Sequence, residues 1–204
     1  MTTHLLKLFT HPNDAWIEIR HEEELHPRHY LPHLLLFALI PALCLFIGTT
    51  SFGWSLAGTE RVRLSVASAA QLGVLLYLTM LLGVVIMGGF IRWMSRTFDT
   101  RPSLDQCIGF AAYGATPYFL AGIAGLYPGR WLALVALLAA SAYATFLLFI
   151  GLPTFLRLRK EQGLLYSTSV WAVGLLVLVT ILVSMILFWF DVLEPEYMRP
   201  AALG

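Results

Sequence analysis

Six histidines are the side chains of this chain best suited to chemistry, and all of them lie within its first 33 residues. His26, His29 and His33 are three and four residues apart, so a continuous helix would carry them on one face, just downstream of Glu22–Glu24. Neutral imidazole is a good ligand for zinc, nickel or copper, and a carboxylate can complete such a site. The spacing therefore raises the hypothesis of a transition-metal site in the N-terminal segment.

A solvated strip at a membrane interface is the alternative, and we favour it. Pro27 and Pro32 interrupt the helix that would align the three histidines. We expect the run Glu22–Glu24 to be hydrated, and histidine is tolerated at an interface because it is amphipathic and largely neutral near pH 7. We therefore predict no tight stoichiometric metal and no cofactor.

A second group of polar residues lies inside an apolar run, in the stretch Tyr113-Gly114-Ala115-Thr116-Pro117. Proline removes a backbone hydrogen bond and kinks a helix, and in lipid the freed carbonyl must find a partner, which Thr116 or a neighbouring helix can supply. Pro41 has the same effect in an earlier run. Pro41, Tyr113, Thr116 and Pro117 are thus candidates for a cavity lining, although we favour a role in helix packing.

Motifs of the common enzyme classes are missing from the sequence. It has no HExxH, no GxSxG, no P-loop and no Cys/His pair of triad type, so we predict that the protein is not an enzyme. Cys44 and Cys107 are far apart and are expected to be small core residues rather than a disulfide. A net charge of +1 without a basic face or an RNA-binding motif gives no support to nucleic-acid binding.

The elements that must position these residues are membrane-spanning helices. The chain is 58% hydrophobic and 12% charged, with a mean hydropathy of +0.75, whereas soluble domains are about a quarter charged. Five apolar runs reach the ~20 residues that a helix needs to cross a bilayer. They run from His33 to about Trp54, Ser65 to about Ile91, Leu104 to about Tyr127, Trp131 to about Leu152 and Thr168 to about Phe190. Their interiors contain no Asp, Glu, Lys or Arg, each of which costs about 2.5 to 3.5 kcal/mol at mid-membrane.

The sequence thus predicts an all-α polytopic membrane protein, a bundle of five transmembrane helices. Residues 1–32 form a short amphipathic N-terminal segment, residues 33–190 the transmembrane domain and residues 191–204 a C-terminal tail. Ser103 and Gln106 are typical of a capping box at the third helix. Ala136, Ala140 and Ala144 form a stripe of small residues on the fourth, which favours close helix packing. The N-terminal segment either lies on the membrane surface or packs against the protein's own loops.

Orientation follows from the basic residues. Nine of the 13 Lys and Arg residues lie in the N-terminal segment and in the loops after the second and fourth helices. Because short cytoplasmic loops carry an excess of Lys and Arg, we predict a cytoplasmic N-terminus. Five crossings then place the C-terminus outside.

Several short motifs resemble those of the Yip1-domain family, especially its small bacterial inner-membrane members. The resemblance covers nearly the whole chain and the order of its five spans. Its motifs are Leu8-Phe9-Thr10-His11-Pro12, Ile47-Gly48-Thr49-Thr50, Tyr113-Gly114-Ala115-Thr116-Pro117, Gly151-Leu152-Pro153 and Lys160-Glu161-Gln162-Gly163-Leu164. The resemblance implies a multi-pass protein of the bacterial inner membrane, and it brings no catalytic residues. In that membrane, the outer side on which the basic residues place the C-terminus is the periplasm. Eukaryotic members associate with Rab-type GTPases and with each other, but this chain has no acidic extension before its first span, so the Rab role is not carried over.

Two functions remain open at this point. The first is a non-enzymatic membrane scaffold or adaptor whose partners are the lipid bilayer and either further copies of itself or other membrane proteins. The alternative is a channel or transporter for a small solute or metal ion, with a cavity near Pro41, Tyr113 and Pro117 and with the histidine-rich N-terminal segment as a further candidate element. The lack of charge within the spans favours the first, and a water-filled polar cavity at mid-membrane would favour the second.

The orientation can be tested with reporters fused after Gly204. A periplasmic reporter should be active there and a cytoplasmic reporter silent, because five crossings separate this end from the basic loops. Enzymatic activity of the two fusions in growing cells is the measurement, and the reverse pattern would overturn the count of basic residues.

Overall fold

The computed structural model describes residues 7–53, 63–98, 100–127, 129–189, 191 and 197–198. Within these residues it is built almost entirely of helices. The expected end of the first span at Trp54, that of the fifth span at Phe190 and most of the tail 191–204 lie outside the described residues.

Five helical segments are long and apolar enough to cross a membrane, which confirms the all-α polytopic bundle. These spans one to five are Tyr30–Phe52, Val66–Phe98, Leu104–Leu126, Trp131–Leu156 and Glu161–Phe188. Spans one and five begin earlier than hydropathy predicts, at Tyr30 and Glu161 rather than His33 and Thr168. The difference has a physical cause: Pro32 is tolerated in a first helical turn, and Glu161 favours the positive N-terminal end of a helix.

The elements follow one another with short connections. The helices are α1 (Pro12–Leu25), α2 (Tyr30–Ile47), α3 (Val66–Ser95), α4 (Leu104–Gly114), α5 (Thr116–Ala121), α6 (Arg130–Leu156) and α7 (Lys160–Phe188). A π-helical turn, Gly48–Phe52, extends α2, and 3-10 turns extend α3 (Arg96–Phe98) and α5 (Gly122–Leu126). Two short strands, β1 (Arg63–Leu64) and β2 (Tyr197–Met198), complete the described elements.

The predicted capping box is present at the start of α4. The Gln106 amide donates to Ser103 Oγ at 3.1 Å, and the Ser103 amide donates to Gln106 Oε1 at 2.8 Å. Two N–H groups that a helix start leaves free are thereby satisfied, which fixes where span three begins.

The two prolines inside the predicted spans, Pro41 and Pro117, affect their helices differently. Helix α2 continues through Pro41, whereas span three is divided at Ala115, after which α5 restarts with Pro117 in its first turn. In that position the missing N–H of proline would have no helical partner in any case. The predicted kink at Pro117 is therefore a break between two helices.

Burial is uneven across the bundle. Half of the most apolar stretch of span three is buried, but only 11% of that of span four and 6% of that of span five. Helix α3 packs on α2 and α4, and α5 packs on α6. Span three is therefore the centre of the bundle, while α6 and α7 present most of their apolar surface outwards.

Strands β1 and β2 pair antiparallel, with Arg63 opposite Met198 and Leu64 opposite Tyr197. This pairing brings the loop between spans one and two together with the C-terminal tail. Spans two to five lie between these two segments, and four crossings return the chain to the same side of a membrane, so the pairing agrees with five spans.

The stripe of small residues on α6 (Ala136, Ala140 and Ala144) predicts how a larger side chain there would affect stability. Ala140 is buried, whereas its neighbour Ala139 is exposed. Ala140→Leu should lower stability by about 1–3 kcal/mol, because added volume in a packed interface forces the helices apart. Thermal unfolding in detergent measures the loss.

Ala139→Leu is the matched control, since it adds the same volume on the outer side of the same helix. Equal unfolding temperatures for both variants would show that the Ala140 side of α6 is not a helix–helix contact.

Candidate functional site

The N-terminal segment packs against the protein's own bundle with part of its apolar residues. Helix α1 lies on α6 and α4 and buries Ala15, Trp16 and Ile19. The preceding residues continue this contact: the Tyr143 hydroxyl donates to the Leu8 carbonyl at 3.0 Å. Among the buried polar side chains of the described residues are Glu23, His33 and Thr116.

Trp16 is the largest side chain that α1 buries. Its ring stacks on Phe110 with centroids 4.4 Å apart and meets Phe155 edge-on at 6.3 Å. It lies directly against Gly151, where a Cβ would come within 2.9 Å of Trp16 Cδ1 and closer still to other ring atoms. The Gly151-Leu152-Pro153 motif therefore has a concrete purpose, which is to leave room for the anchor of α1.

Next to this anchor, His33 and Thr116 form a buried polar pair. His33 Nε2 and Thr116 Oγ1 share a hydrogen bond of 3.0 Å, and both side chains are at most 1% exposed. The imidazole lies between the rings of Phe37 and Tyr113, each with its centroid 4.4 Å away. A hydroxyl bonded to an imidazole is also the arrangement of nucleophilic catalysis. Here no surface of either group is open to a substrate, so the geometry favours packing.

Glu23 is the residue that sequence reasoning missed. The run Glu22–Glu24 was expected to be hydrated, and for Glu23 this is wrong, because its side chain is only 3% exposed. Its carboxyl carbon would lie 3.2 Å from a Cβ at position 109, so Gly109 makes room for it. A signal was present in the sequence: Trp16, Ile19 and Glu23 have helical spacings of three and four, so Glu23 falls on the buried face of α1.

Burial dominates the electrostatics of Glu23. It raises the pKa of this carboxyl to about 7, with smaller contributions of the same sign from the charges of Asp105 and Glu22. The backbone N–H groups of Tyr30 and Arg28 oppose the rise in part. On the adjacent exposed Glu24, a hydrogen bond from Arg20 lowers the pKa instead.

The three candidate metal ligands are separated by their surroundings. His33 is buried and bonded to Thr116, whereas His26 and His29 are exposed in the turn between α1 and α2. His29 Nε2 lies 3.4 Å from Glu22 Oε2. Among the described residues no three His, Cys, Asp or Glu side chains are grouped as metal ligands would be. The prediction of no tight metal remains one for titration calorimetry.

A cavity of about 260 Å³ opens between α3, α4, α5, α6 and α7. Its lining is mostly apolar and includes Met80, Met87, Phe110, Leu148, Trp171 and Met185. One polar group on its wall, the Thr145 hydroxyl, is occupied: it accepts from Trp171 Nε1 at 3.0 Å and donates to the Ser141 carbonyl at 2.7 Å.

The four candidate cavity residues lie beside this space rather than on its wall. Gly114, Ala115 and Tyr118 line it, but Pro41, Tyr113, Thr116 and Pro117 do not. Pro41 instead faces Gly122, where an added Cβ would come within 2.6 Å of Pro41 Cα and closer still to its Cβ.

Comparison with known proteins agrees with the resemblance. The Yip1 domain model matches residues 6–181. The chain is 43% identical over 187 residues to the inner membrane protein YohC of Escherichia coli strain K12, covering 92% of this chain and 96% of that protein. YohC of E. coli O6:H1 matches with the same identity and coverage. No solved structure matches the chain.

The His33–Thr116 pair can be tested by removing its hydroxyl. Thr116→Val keeps the shape of the side chain but leaves a buried imidazole nitrogen without its partner, so we expect a loss of about 1–3 kcal/mol in unfolding free energy. Thr168→Val is the control, because that exposed hydroxyl bonds only to the Leu164 carbonyl of its own helix. If the two variants unfold alike in detergent, the pair contributes nothing specific.

Proposed function

The chain belongs to the Yip1 domain family, and from that premise we propose that it is a non-enzymatic scaffold or adaptor of a bacterial inner membrane. It acts through contacts with other membrane proteins or with further copies of itself. The name of its relatives, inner membrane protein YohC, supports the inner-membrane location. The count of basic residues supports a cytoplasmic N-terminus and a periplasmic C-terminus.

The observation that carries this proposal is the outer face of α7. Ala172, Leu176, Thr180 and Ser184 recur every four residues on this helix, and all of them are exposed. Between helices in lipid no hydrophobic driving force operates, and association depends on small side chains and on hydrogen bonds from residues such as Ser and Thr. A face of this composition is better suited to a partner helix than to lipid chains alone.

Burial of the spans leaves this face free for such a contact. Span five is the least buried of the five and also the most apolar. Its long exposed side therefore has the length to contact a partner across the whole membrane.

The cavity gives the transport alternative little support. A pathway for an ion or a polar solute needs polar groups or water along it. The wall of the 260 Å³ cavity is mostly apolar, and its Thr145 hydroxyl is already bonded on both sides.

Photocrosslinking tests the scaffold proposal. A photoreactive amino acid at Leu176, on the face of α7, should give adducts of protein mass in living cells. Leu78 on α3 is the matched control, since it is a similarly exposed leucine in another span, at 56% against 65%. We expect lipid adducts alone at Leu78.

A second variant tests whether the contact is made through the face of α7. Ser184→Leu should reduce the protein adduct at Leu176 several-fold, because the larger side chain prevents close helix approach. Only lipid adducts at both positions would contradict a protein contact through α7.

A further inference from the structure

Glu23 is buried at the end of α1 that joins the transmembrane bundle. Its side chain is covered by the turn to α2 on one side and by Gly109 of α4 on the other. Neither carboxyl oxygen makes a hydrogen bond of regular geometry within the described part of the chain. A buried carboxylate without full compensation is costly, so this position favours the neutral acid.

The titratable groups around Glu23 do not supply a counter-ion. Those next to its carboxyl group are acids or tyrosines: Asp105 and Tyr113 on α4, Tyr30 on α2 and Glu22 on α1 itself. The cation in the turn, Arg28, has its side chain 3.7 Å from Asp105 and 70% exposed. At the end of α6, Arg157 acts on Glu24.

The remainder of the α1 contact is mainly apolar. Trp16 packs on Phe110 and Phe155, and Ile19 and Ala15 are fully covered beside it. Apolar contacts do not change with pH. The charge state of Glu23 is therefore the variable part of the energy that holds α1 on the bundle.

We propose that α1 is a protonation-controlled latch: with Glu23 neutral, the helix is docked on α4 and α6, and ionisation of Glu23 favours its release. Release uncovers the apolar floor formed by Phe110, Phe155 and Leu152 and frees Trp16. The inference concerns the protein's own N-terminal helix and does not depend on a partner at α7.

The sign of the pH effect follows from the direction of the shift. The docked state raises the pKa of Glu23 from 4.5 to about 7, so it holds the proton more tightly than the free helix does. Docking is then strongest at low pH, weakens as the pH rises from about 4.5 to about 7, and is constant above that range. Within the window the undocked population rises by up to about tenfold per pH unit.

Cysteine labelling of the full-length protein in nanodiscs measures this population. In a background with Cys44→Ala and Cys107→Ala, the probe is Ala15→Cys, under the docked helix. The reference is Ile17→Cys, at an exposed position of the same helix. The ratio of their N-ethylmaleimide rates cancels the pH dependence of the thiol itself. We expect this ratio to rise at least tenfold between pH 5 and pH 7.5.

Two further variants identify the responsible group. Glu23→Gln should hold the ratio flat and low, since the near-isosteric amide is neutral at every pH. Glu24→Gln should keep the rise, because Glu24 is exposed and the hydrogen bond from Arg20 lowers its pKa.

The two variants separate the effect of Glu23 from that of every other group near α1. A rise that persists in Glu23→Gln would assign the effect to another group and overturn the proposal. A flat ratio in the protein with native Glu23 would overturn it as well, whether or not the variant folds.

Discussion

Lipid offers no hydrogen bonds, and this constraint shapes every polar side chain within the spans. Each one must find a partner inside the protein or lose the energy of its hydration. Thr79, Thr145 and Thr154 bond to carbonyls of the preceding turn of their own helices, at 2.7–3.0 Å. His33 has no such local option, so it must reach across to Thr116 on another span. That one bond therefore ties span one to the break in span three.

Within the membrane, close packing of small residues holds the helices together, as the hydrophobic effect does in water. Gly48 lies so near the Gly125 carbonyl that a side chain would not fit, and Gly88 lies on the backbone of Ile108, with 2.7 Å between an added Cβ and Ile108 Cα. Gly151 receives Trp16 in the same way. Two of the short Gly- and Pro-containing motifs, those with Gly48 and Gly151, are thus contact points between helices. A family defined by such motifs can keep its shape without keeping any catalytic group.

The limits of sequence reasoning here have a physical origin. Hydropathy along the chain is a local property, so the five spans and the Ser103–Gln106 capping box could be predicted from neighbouring residues alone. The His33–Thr116 bond joins residues 83 positions apart, and no local pattern reports which helices will touch. Glu23 was misplaced for a related reason. Its neighbours Glu22 and Glu24 suggest water, while its own burial depends on a notch at Gly109 in a distant helix. The helical spacing of Glu23 from Trp16 and Ile19 was the one local signal for its burial. The three adjacent charges of Glu22–Glu24 indicated exposure more strongly.

Spans one to three and spans four and five differ in how much of their surface the protein itself covers. Spans one to three, with α1 folded over one end, contribute the buried rings of Trp16, Phe110 and Tyr113 to the core. Spans four and five add a long apolar surface that the protein itself covers only slightly. They are nevertheless connected: α1 rests on the end of α6, and the Tyr166 hydroxyl near the start of α7 donates to the Ile91 carbonyl of α3. Movement of α1 would therefore act first on α6, which packs along α7. Packed side chains thus connect α1, which responds to protonation, through α6 to the outer face of α7, which is suited to a partner helix.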